Sequence, residues 1–305
     1  MFDSRRLRLL VEFERRGTVA AVADALSYTP SAVSQQLATL EREAGGPLFE
    51  RAGRTLLLTD FGRLLAGHGA RVLDALEQAE AELEAAGGAV TGVVRVSSFQ
   101  TVGMVLVPRA VRTLHERLPE VAVEYLEAEA EETVPLLLAG EIDLVVAEEY
   151  EHAPRARDPR HDRASLCRDA MLVALPARHP LAKRRAVPLE RLADEPWVSA
   201  RVGTAYHDMV VRTCRAIGRF EPRIRHSVND VILMYGLIEE GAAGIVPALG
   251  ARAAPDGVAL RPIAGHPIER EIFTLARATS AERPAIVEVR RALDEAVEEM
   301  RLATY

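Results

Sequence analysis

The sequence predicts an α/β protein with a small helical head. Three observations carry that expectation. Two short helical patterns lie within the first 45 residues, a single helical run extends from Asp60 to Ala86, and from Gly92 onward short β-rich runs alternate with amphipathic helices. The 305 residues, 49% hydrophobic and 27% charged, supply apolar material for two or three domains. No apolar run reaches the ~20 residues of a membrane span. The opening "MFDSRRLRLLVEF" is too short in its apolar stretch, and too interrupted by charge, to read as a signal peptide. The expected location is therefore the cytoplasm, with no membrane partner.

The first helical pair is "GTVAAVADALSYTPSAVSQQL". Gly17-Thr18 caps a helix whose Val19, Val22, Ala23 and Leu26 point inward, and Ser27-Tyr28 forms a short turn. Thr29-Pro30 then starts a second helix, with Thr as cap and Pro at the first helical position. At about 100° per residue, Val33, Leu37, Leu40 and Ala44 cluster on its core side. Ser31, Ser34, Gln35, Ala38 and Arg42 cluster on the other. Short hydroxyl and amide side chains there, where a solvated face normally carries Lys and Glu, suit a helix entering the DNA major groove. Small residues allow close approach, and Pro30 leaves the helix N-terminus facing phosphate. Downstream, "FERAGRTLLLT" reads as a hairpin wing, with Gly53 at its turn and Arg51 and Arg54 near its tip. Together these make a winged helix-turn-helix over residues 1–59.

Charge is divided unevenly. Residues 1–71 carry ten Arg against eight acids, a net +2, and the remainder carries −9 of the total −7. An acidic total argues mildly against a nonspecific nucleic-acid binder, yet a nearly neutral head can bind DNA if its arginines share one face. Every fixed cation except Lys183 is an arginine. The two cysteines, Cys167 and Cys214, form no C-x-x-C pair. They fit either buried bystanders or a peroxide-sensing pair.

Residues 60–88, "DFGRLLAGHGARVLDALEQAEAELEAAGG", form a linker helix of roughly 40 Å, longer than a small domain needs for its own core. Phe61, Leu65, His68, Val72, Ala75, Leu76, Ala79 and Leu83 make an apolar seam near heptad spacing. The seam fits pairing with a second copy through Phe61, Leu65, Val72, Leu76 and Leu83. A helix packed on its own domain is the alternative.

Residues 89–305 read as two α/β lobes with mostly parallel sheets. "GVVRVSS", "VAVEYLE" and "IDLVVAE" alternate with helices near 105–117 and 132–139. "AMLVALP", "PWVSA", "PRIRHS", a helix near 230–240, "GIVP", "IEREIFTLA" and a helix near 284–300 follow. The Arg/Asp/Pro-rich stretch 154–163 reads as a crossover. Lobe I is then about 91–160 with 268–305, and lobe II about 161–267.

With these motifs in hand, the chain resembles the LysR-type transcriptional regulators. The resemblance rests on "GTVAAVADAL…TPSAVSQQLATLEREAG…LFERAGRTLLLTDFGRLL" and extends into "VALPARHPLAKRRAVPLERLADEPWV", which is similar to the family's second effector lobe. It implies that Thr29, Pro30, Ser31, Ser34 and Gln35 face double-stranded promoter DNA, that Thr18 touches the backbone, and that Arg51 and Arg54 serve the wing. It also implies a periplasmic-binding-protein-like effector domain and a homodimer or homotetramer. Gln35 departs from the pattern: the family often has Arg there, so a polar contact replaces a charged one.

No catalytic, cofactor or metal site is expected. The body lacks G-x-S-x-G, Walker A, H-E-x-x-H and a complete G-x-G-x-x-G, and "GAAG" (Gly241 to Gly244) reads as a helix end and turn. The eight histidines show no metal-ligand spacing. Two lobes instead suit a small-molecule effector held at strand ends. "SSFQTVG", leaving the first strand, looks like an anion-accepting corner. The resemblance puts an effector contact there, at Ser98 or its neighbours Phe99, Gln100 and Thr101. The second lobe would add Arg201, Thr204 and Val246. Arg201 fits a bidentate carboxylate contact, and equally a pairing with an acid of its own lobe. The acids of "EYLEAEAEE" (Glu124 to Glu132) fit a cationic or amino-acid ligand, or a solvated helix start. Two rival readings are a solute-binding α/β protein, which leaves the head unexplained, and a metabolic enzyme with an appended helical domain, which needs a reactive constellation.

Overall fold

Helix α1 (Ser4–Arg16) begins at Asp3, whose carboxylate accepts the Arg5 N–H at 2.7 Å, and ends at Gly17. Helices α2 (Val19–Ala25) and α3 (Pro30–Ala44) follow, then an antiparallel hairpin of β1 (Phe49–Ala52) and β2 (Thr55–Leu58). The computed structural model describes all residues except 27, 54, 88–89, 152–153, 266 and 303–305, and divides into two units, Met1–Gly87 and Gly88–Tyr305. Leu10, Val22, Val33, Leu40 and Leu48 are sealed in the head's core, where Phe13 meets Phe49 edge-on at 5.1 Å.

Two side chains fix where the hairpin leaves α3. Glu41 accepts the backbone N–H groups of Leu48 and Phe49 at 2.7 and 3.2 Å. Thr59 donates to the Pro47 carbonyl at 2.7 Å and accepts the Gly62 N–H at 2.9 Å, capping α4 (Asp60–Gly87). Gly62 is required by close approach: a Cβ there would lie 2.2 Å from the Leu48 carbonyl oxygen.

At 28 residues α4 is about 42 Å long. Its first turns lie on its own domain, with Gly62, Ala66 and Gly69 on the inner stripe and Leu7 and Val11 of α1 against Gly69. This corrects one residue of the expected seam, Leu65. Leu65 flanks that stripe and packs on the head's core, whereas the Phe61 ring lies beside Gly46 and is still 42% exposed. Leu64 is exposed instead, and the open apolar row runs from Val72 through Leu76 to Leu83, the last 73% exposed.

The second unit is built on a seven-stranded mixed sheet. The body's elements in order are β3 (Gly92–Ser98), α5 (Gln100–Val105), α6 (Val107–Arg117), β4 (Val121–Glu127), α7 (Ala130–Ala139), β5 (Leu144–Tyr150) and β6 (His161–Pro176). There follow β7 (Pro196–Ser199), α8 (Ala205–Thr213), β8 (Arg223–Ser227), α9 (Val231–Glu239), β9 (Gly244–Pro247), β10 (Val258–Pro262), β11 (Ile268–Arg277) and α10 (Pro284–Leu302). Strand order is β10-β6-β11-β5-β3-β4, with β9 also on β6 and a separate parallel β7–β8 pair. Beyond two isolated parallel bridges, only β3–β4, β3–β5 and β7–β8 are parallel among the described strand ladders, so the expectation of mostly parallel sheets is wrong. The reason is β6. This 16-residue strand runs antiparallel to β11 in its first half and to β9 and β10 in its second. It therefore passes through both lobes, and residues 161–163, expected in a crossover loop, already belong to it.

The helix expected at 105–117 is α6, and a further short helix, α5, precedes it, parted from it at Leu106. Neither α8 nor β10 is among the elements expected from sequence: "VALRP" is short and ends in proline, and α8 is a nine-residue helix that runs into a π-helical turn at Cys214–Gly218. Each lobe has its own core. α5, α6 and α10 cover one face of the first sheet around Val96, Leu114 and Ile286, while α7 covers the other around Leu137 and Phe273. The second lobe packs around Trp197, Met209, Tyr235 and Ile245. Cys167 packs against the first core, whereas Cys214 is buried in the second, where burial pushes its thiol up to about 12. That is the reverse of a reactive thiolate.

Candidate DNA-contacting face and ligand cavity

Helix α3 places its two faces as helical periodicity demands. Val33, Leu37 and Leu40 are buried; Pro30, Ser31, Ser34, Gln35, Ala38 and Arg42 are exposed. Among the described residues, the side chains of Ser31, Ser34 and Gln35 hold no hydrogen bond, so their donors and acceptors are available to a partner. Thr29 accepts the Ala32 N–H and Thr18 the Ala21 N–H, both at 3.2 Å. Each is thus a helix cap that keeps its hydroxyl proton for an outside acceptor. With Pro at the first position and no acid in the first turn, the N-terminus of α3 stays electropositive. Arg51 is exposed on β1 beside the wing turn at Gly53, while Arg54 lies outside the described residues.

The second site is a cavity between the two lobe cores, enclosing about 390 Å³ with its open mouth included. The parallel strands β3 and β5 end there, as does the turn after β4. Phe99, Gln100 and Thr101 line it from the first lobe, Ala200, Tyr206, Asn229, Val231, Met234 and Pro247 from the second, and Arg270 from the shared strand β11. Glu129 and Glu148 complete the wall.

Arg270, only 2% exposed, is the hub. It donates to Asp169 Oδ2 through Nε and Nη2 (3.0 and 2.7 Å), to Glu148 Oε2 through Nη1 (2.5 Å) and to Thr101 Oγ1 through Nη2 (2.9 Å). Its guanidinium also sits 4.8 Å from the Phe99 ring centre. Burial opposes its charge, but Glu148 and Asp169 outweigh that and hold it cationic. Glu148 also accepts from the Tyr150 hydroxyl at 2.5 Å. Glu129 is different. Burial, followed by repulsion from Glu148, Glu131 and Glu127, pushes its carboxyl up to about 8, with Arg270 pulling the other way.

The lobes are also clasped across the cavity. Gln100 donates to Asp230 Oδ2 at 3.0 Å and accepts the Val231 N–H at 2.6 Å. Glu131 accepts from Arg155 at 2.6 Å and from the Ala205 N–H at 3.3 Å.

Four expected effector contacts are corrected. Ser98 is fully buried and shares its hydroxyl with the Tyr125 hydroxyl at 3.0 Å, because the strand's alternation turns it away from the cavity. Val246 is sealed in the second core, and Pro247 is the wall residue. Arg201 lies outside the cavity, 65% exposed, with Glu132 of the other lobe at 3.9 Å. Thr204 lies outside the cavity's lining and uses its hydroxyl within its own lobe, accepting the His207 N–H to cap α8 and donating to the Arg201 carbonyl at 2.8 Å. The expected anion corner is a six-residue helix without a side-chain cap, facing Glu129 and Glu148.

Sequence reasoning reached Glu129 only as one of the acids Glu124 to Glu132, and missed Glu148, Asn229, Tyr206 and Arg270 entirely. The usable signals were the charged residues within otherwise apolar strands: Arg270 in "IEREIF" and Glu148 after "LVVA". Among the described residues no group of three or more His, Cys, Asp or Glu is arranged to hold a metal, and no helix is long and apolar enough to cross a membrane.

Comparison with known proteins bears on both sites. A family profile described as a bacterial regulatory helix-turn-helix protein of the lysR family matches residues 4–63, and one described as a LysR substrate binding domain matches 87–298. The chain is similar to the HTH-type transcriptional regulator ShiR of Corynebacterium glutamicum, 28% identical across 82% of this chain and 87% of that protein. It is likewise 28% identical to the RuBisCO operon transcriptional regulator of Allochromatium vinosum, over 74% of this chain and 72% of that one. Among solved structures, a cysteine variant of full-length OxyR from Pseudomonas aeruginosa aligns over 96% of this chain and 95% of its own, with TM-score 0.73 and 21% identity. Full-length CbnR in complex with its target DNA aligns over 97% of this chain and all of its own, with TM-score 0.56 and 22% identity. At such identities the structures speak for the fold alone.

Proposed function

Because the chain belongs to the LysR family of bacterial transcriptional regulators, we propose that it reads promoter DNA through the exposed face of α3 and answers to a small molecule held between its lobes. The observation that carries this is the exposed row of uncharged hydrogen-bonding groups at Ser31, Ser34 and Gln35. In the major groove these groups would meet base edges, while Thr18, Thr29 and the N-terminus of α3 meet phosphate oxygens. Arg51 and Arg54 would extend the wing's contacts to the backbone. Residues 1–59 act as the reading head, 60–88 as the pairing helix and 89–305 as the sensor.

Val72, Leu76 and Leu83 on the free part of α4 pair two copies, a dimer that can double into a tetramer, so that two α3 helices meet half-sites together. Phe99, Gln100 and Thr101 form one wall of the effector site. Ligand contacts that alter how Gln100 and Glu131 clasp the second lobe would change the spacing of paired heads. No catalytic step is assigned to the protein, and its workplace is the cytoplasm, where its DNA is. Nor is peroxide sensing assigned: the likeness to OxyR is one of fold, and Cys214 is buried with a raised pKa.

Footprinting on the intergenic DNA beside the gene tests this reading. Two protected half-sites should appear, centred about 10.5 base pairs or a multiple apart. Leu76→Asp should yield monomers in sedimentation and lose the paired pattern, with affinity down at least roughly tenfold, as expected when two linked contacts become one. A single protected site, with assembly untouched by the substitution, would overturn it.

A further inference from the structure

We propose that the cavity between the lobes takes a small organic cation, an ammonium or amidinium compound, with its N–H donors on Glu129 and its body against Phe99, Val231 and Met234. This rests on the reading of that cavity as the effector site.

The first argument is the state of Arg270, the one cationic side chain of the wall. Two carboxylates, Asp169 and Glu148, already neutralise it, the Thr101 hydroxyl takes a further N–H, and the Phe99 ring stands at its face. A carboxylate entering the cavity would have to displace one of these acids, or be buried uncompensated beside them. Its ionisable surroundings are Glu129, Glu148 and Asp169 against a single guanidinium. Glu131 and Glu127 add negative potential from the same side as Glu129.

The second is what remains unengaged. Gln100 uses both ends of its amide to hold Asp230 and Val231, and the Tyr206 hydroxyl donates to the Ile245 carbonyl. Asn229 accepts the Arg201 N–H through Oδ1, which leaves its Nδ2 donors unengaged among the described residues. The Glu129 carboxyl, by contrast, has no hydrogen-bond partner among the described residues, although it is half-buried and faces the cavity. The cavity thus presents one free carboxyl acceptor with Phe99 and Tyr206 beside it, and aromatic rings add attraction for a cation. Val231, Met234 and Pro247 supply apolar wall for the rest of the molecule.

Linkage gives the site a pH signature. With its carboxyl pushed up to about 8, Glu129 is protonated near neutrality until a cation displaces the proton. Binding therefore releases a proton, and affinity climbs as pH rises toward 8. The groups facing Glu129 are Glu127 from β4, Glu131 from α7, Glu148 from β5, Tyr206 from α8 and Arg270 from β11.

Thermal shift and calorimetry on the full chain test the proposal with two size-matched sets: benzylamine, benzyl alcohol and benzoate, and n-butylamine, n-butanol and butyrate. The amines should raise the melting temperature at millimolar concentration, the alcohols less and the carboxylates not at all. Amine affinity should rise roughly eightfold between about pH 6.5 and about pH 7.5, the change in the ionised fraction of a group titrating near 8. Glu129→Gln should abolish both the amine shift and the pH trend, and Glu124→Gln, an exposed acid on β4, neither. Carboxylates that bind better than amines, amines that fail to bind, or amine binding unaffected by Glu129→Gln would each overturn the proposal. Benzoate that binds and alters the DNA footprint would overturn the ligand class while keeping the effector site. An amine that binds through Glu129 with the footprint unaltered would keep the ligand class and sink the effector role.

Discussion

On α3, Ser31, Ser34 and Gln35 stand in solvent and no described side chain of the protein bonds to them; between the lobes, Arg270, Glu148, Asp169 and Thr101 bond to one another at 2.5 to 3.0 Å. Both regions are polar, but they solve different problems. A face that reads DNA must keep its donors and acceptors in water, where leaving them unpaired costs little, until base edges replace the solvent. A cavity carved from two apolar cores cannot leave charges unpaired, so it holds them in a closed network. The one carboxyl of that wall without a partner among the described residues, Glu129, is the group proposed to select a ligand. Polar side chains on the surface are informative by being exposed, and those in the interior by being unsatisfied.

The contrast can be broken by mutation. Arg270→Ala should have the largest effect, because it leaves Glu148 and Asp169 buried without their cation. It should cost about 3 to 5 kcal/mol in urea unfolding, the range for removing one partner of a buried ion pair. A loss under about 1 kcal/mol would mean that solvent screens the network and that the interior half of the comparison is wrong.

A smaller effect sharpens the role of Glu129. Its folded-state pKa of about 8 lies above the ordinary 4.5, so the native chain holds this proton more tightly than the unfolded chain does. Stability contributed by that proton is complete below about pH 4.5 and is lost as pH rises toward 8. Glu129→Gln should therefore match the parent near pH 4.5 and exceed it near pH 8, by about 1 to 2 kcal/mol once solvent at the cavity mouth is allowed for. A variant less stable than the parent at pH 8 would show that the carboxylate has a stabilising partner instead.

The same contrast explains what could be read from sequence. The face of α3 was legible because a helix is periodic: residues at positions 31, 34, 35 and 38 must share a side, whatever surrounds them. The caps at Thr18 and Thr29 are just as local. Alternating strands and helices disclosed the two lobes, but not that β6 would run through both and make the sheet mixed, since that depends on pairing across a hundred residues. The cavity was least legible. Glu129, Glu148, Tyr206, Asn229 and Arg270 come from five segments, and no local pattern ties them together. Ser98 was placed there by the family resemblance and Val246 by its position in "GIVP", yet each side chain is turned into the protein's interior. Leu65 was likewise assigned to the pairing seam by heptad spacing, whereas the head's own core claims it.

The central claim is that the uncharged face of α3 reads bases, and quantitative gel shifts with the parent and Ser34→Glu test it most directly. The parent should bind its intergenic fragment far better than random DNA, with log affinity falling as log salt rises. Ser34→Glu should lose that preference by roughly 10- to 100-fold, the worth of one well-placed base contact, while its unfolding free energy stays within about 0.5 kcal/mol. Equal discrimination by the variant and the parent would contradict the assignment of this helix to the DNA.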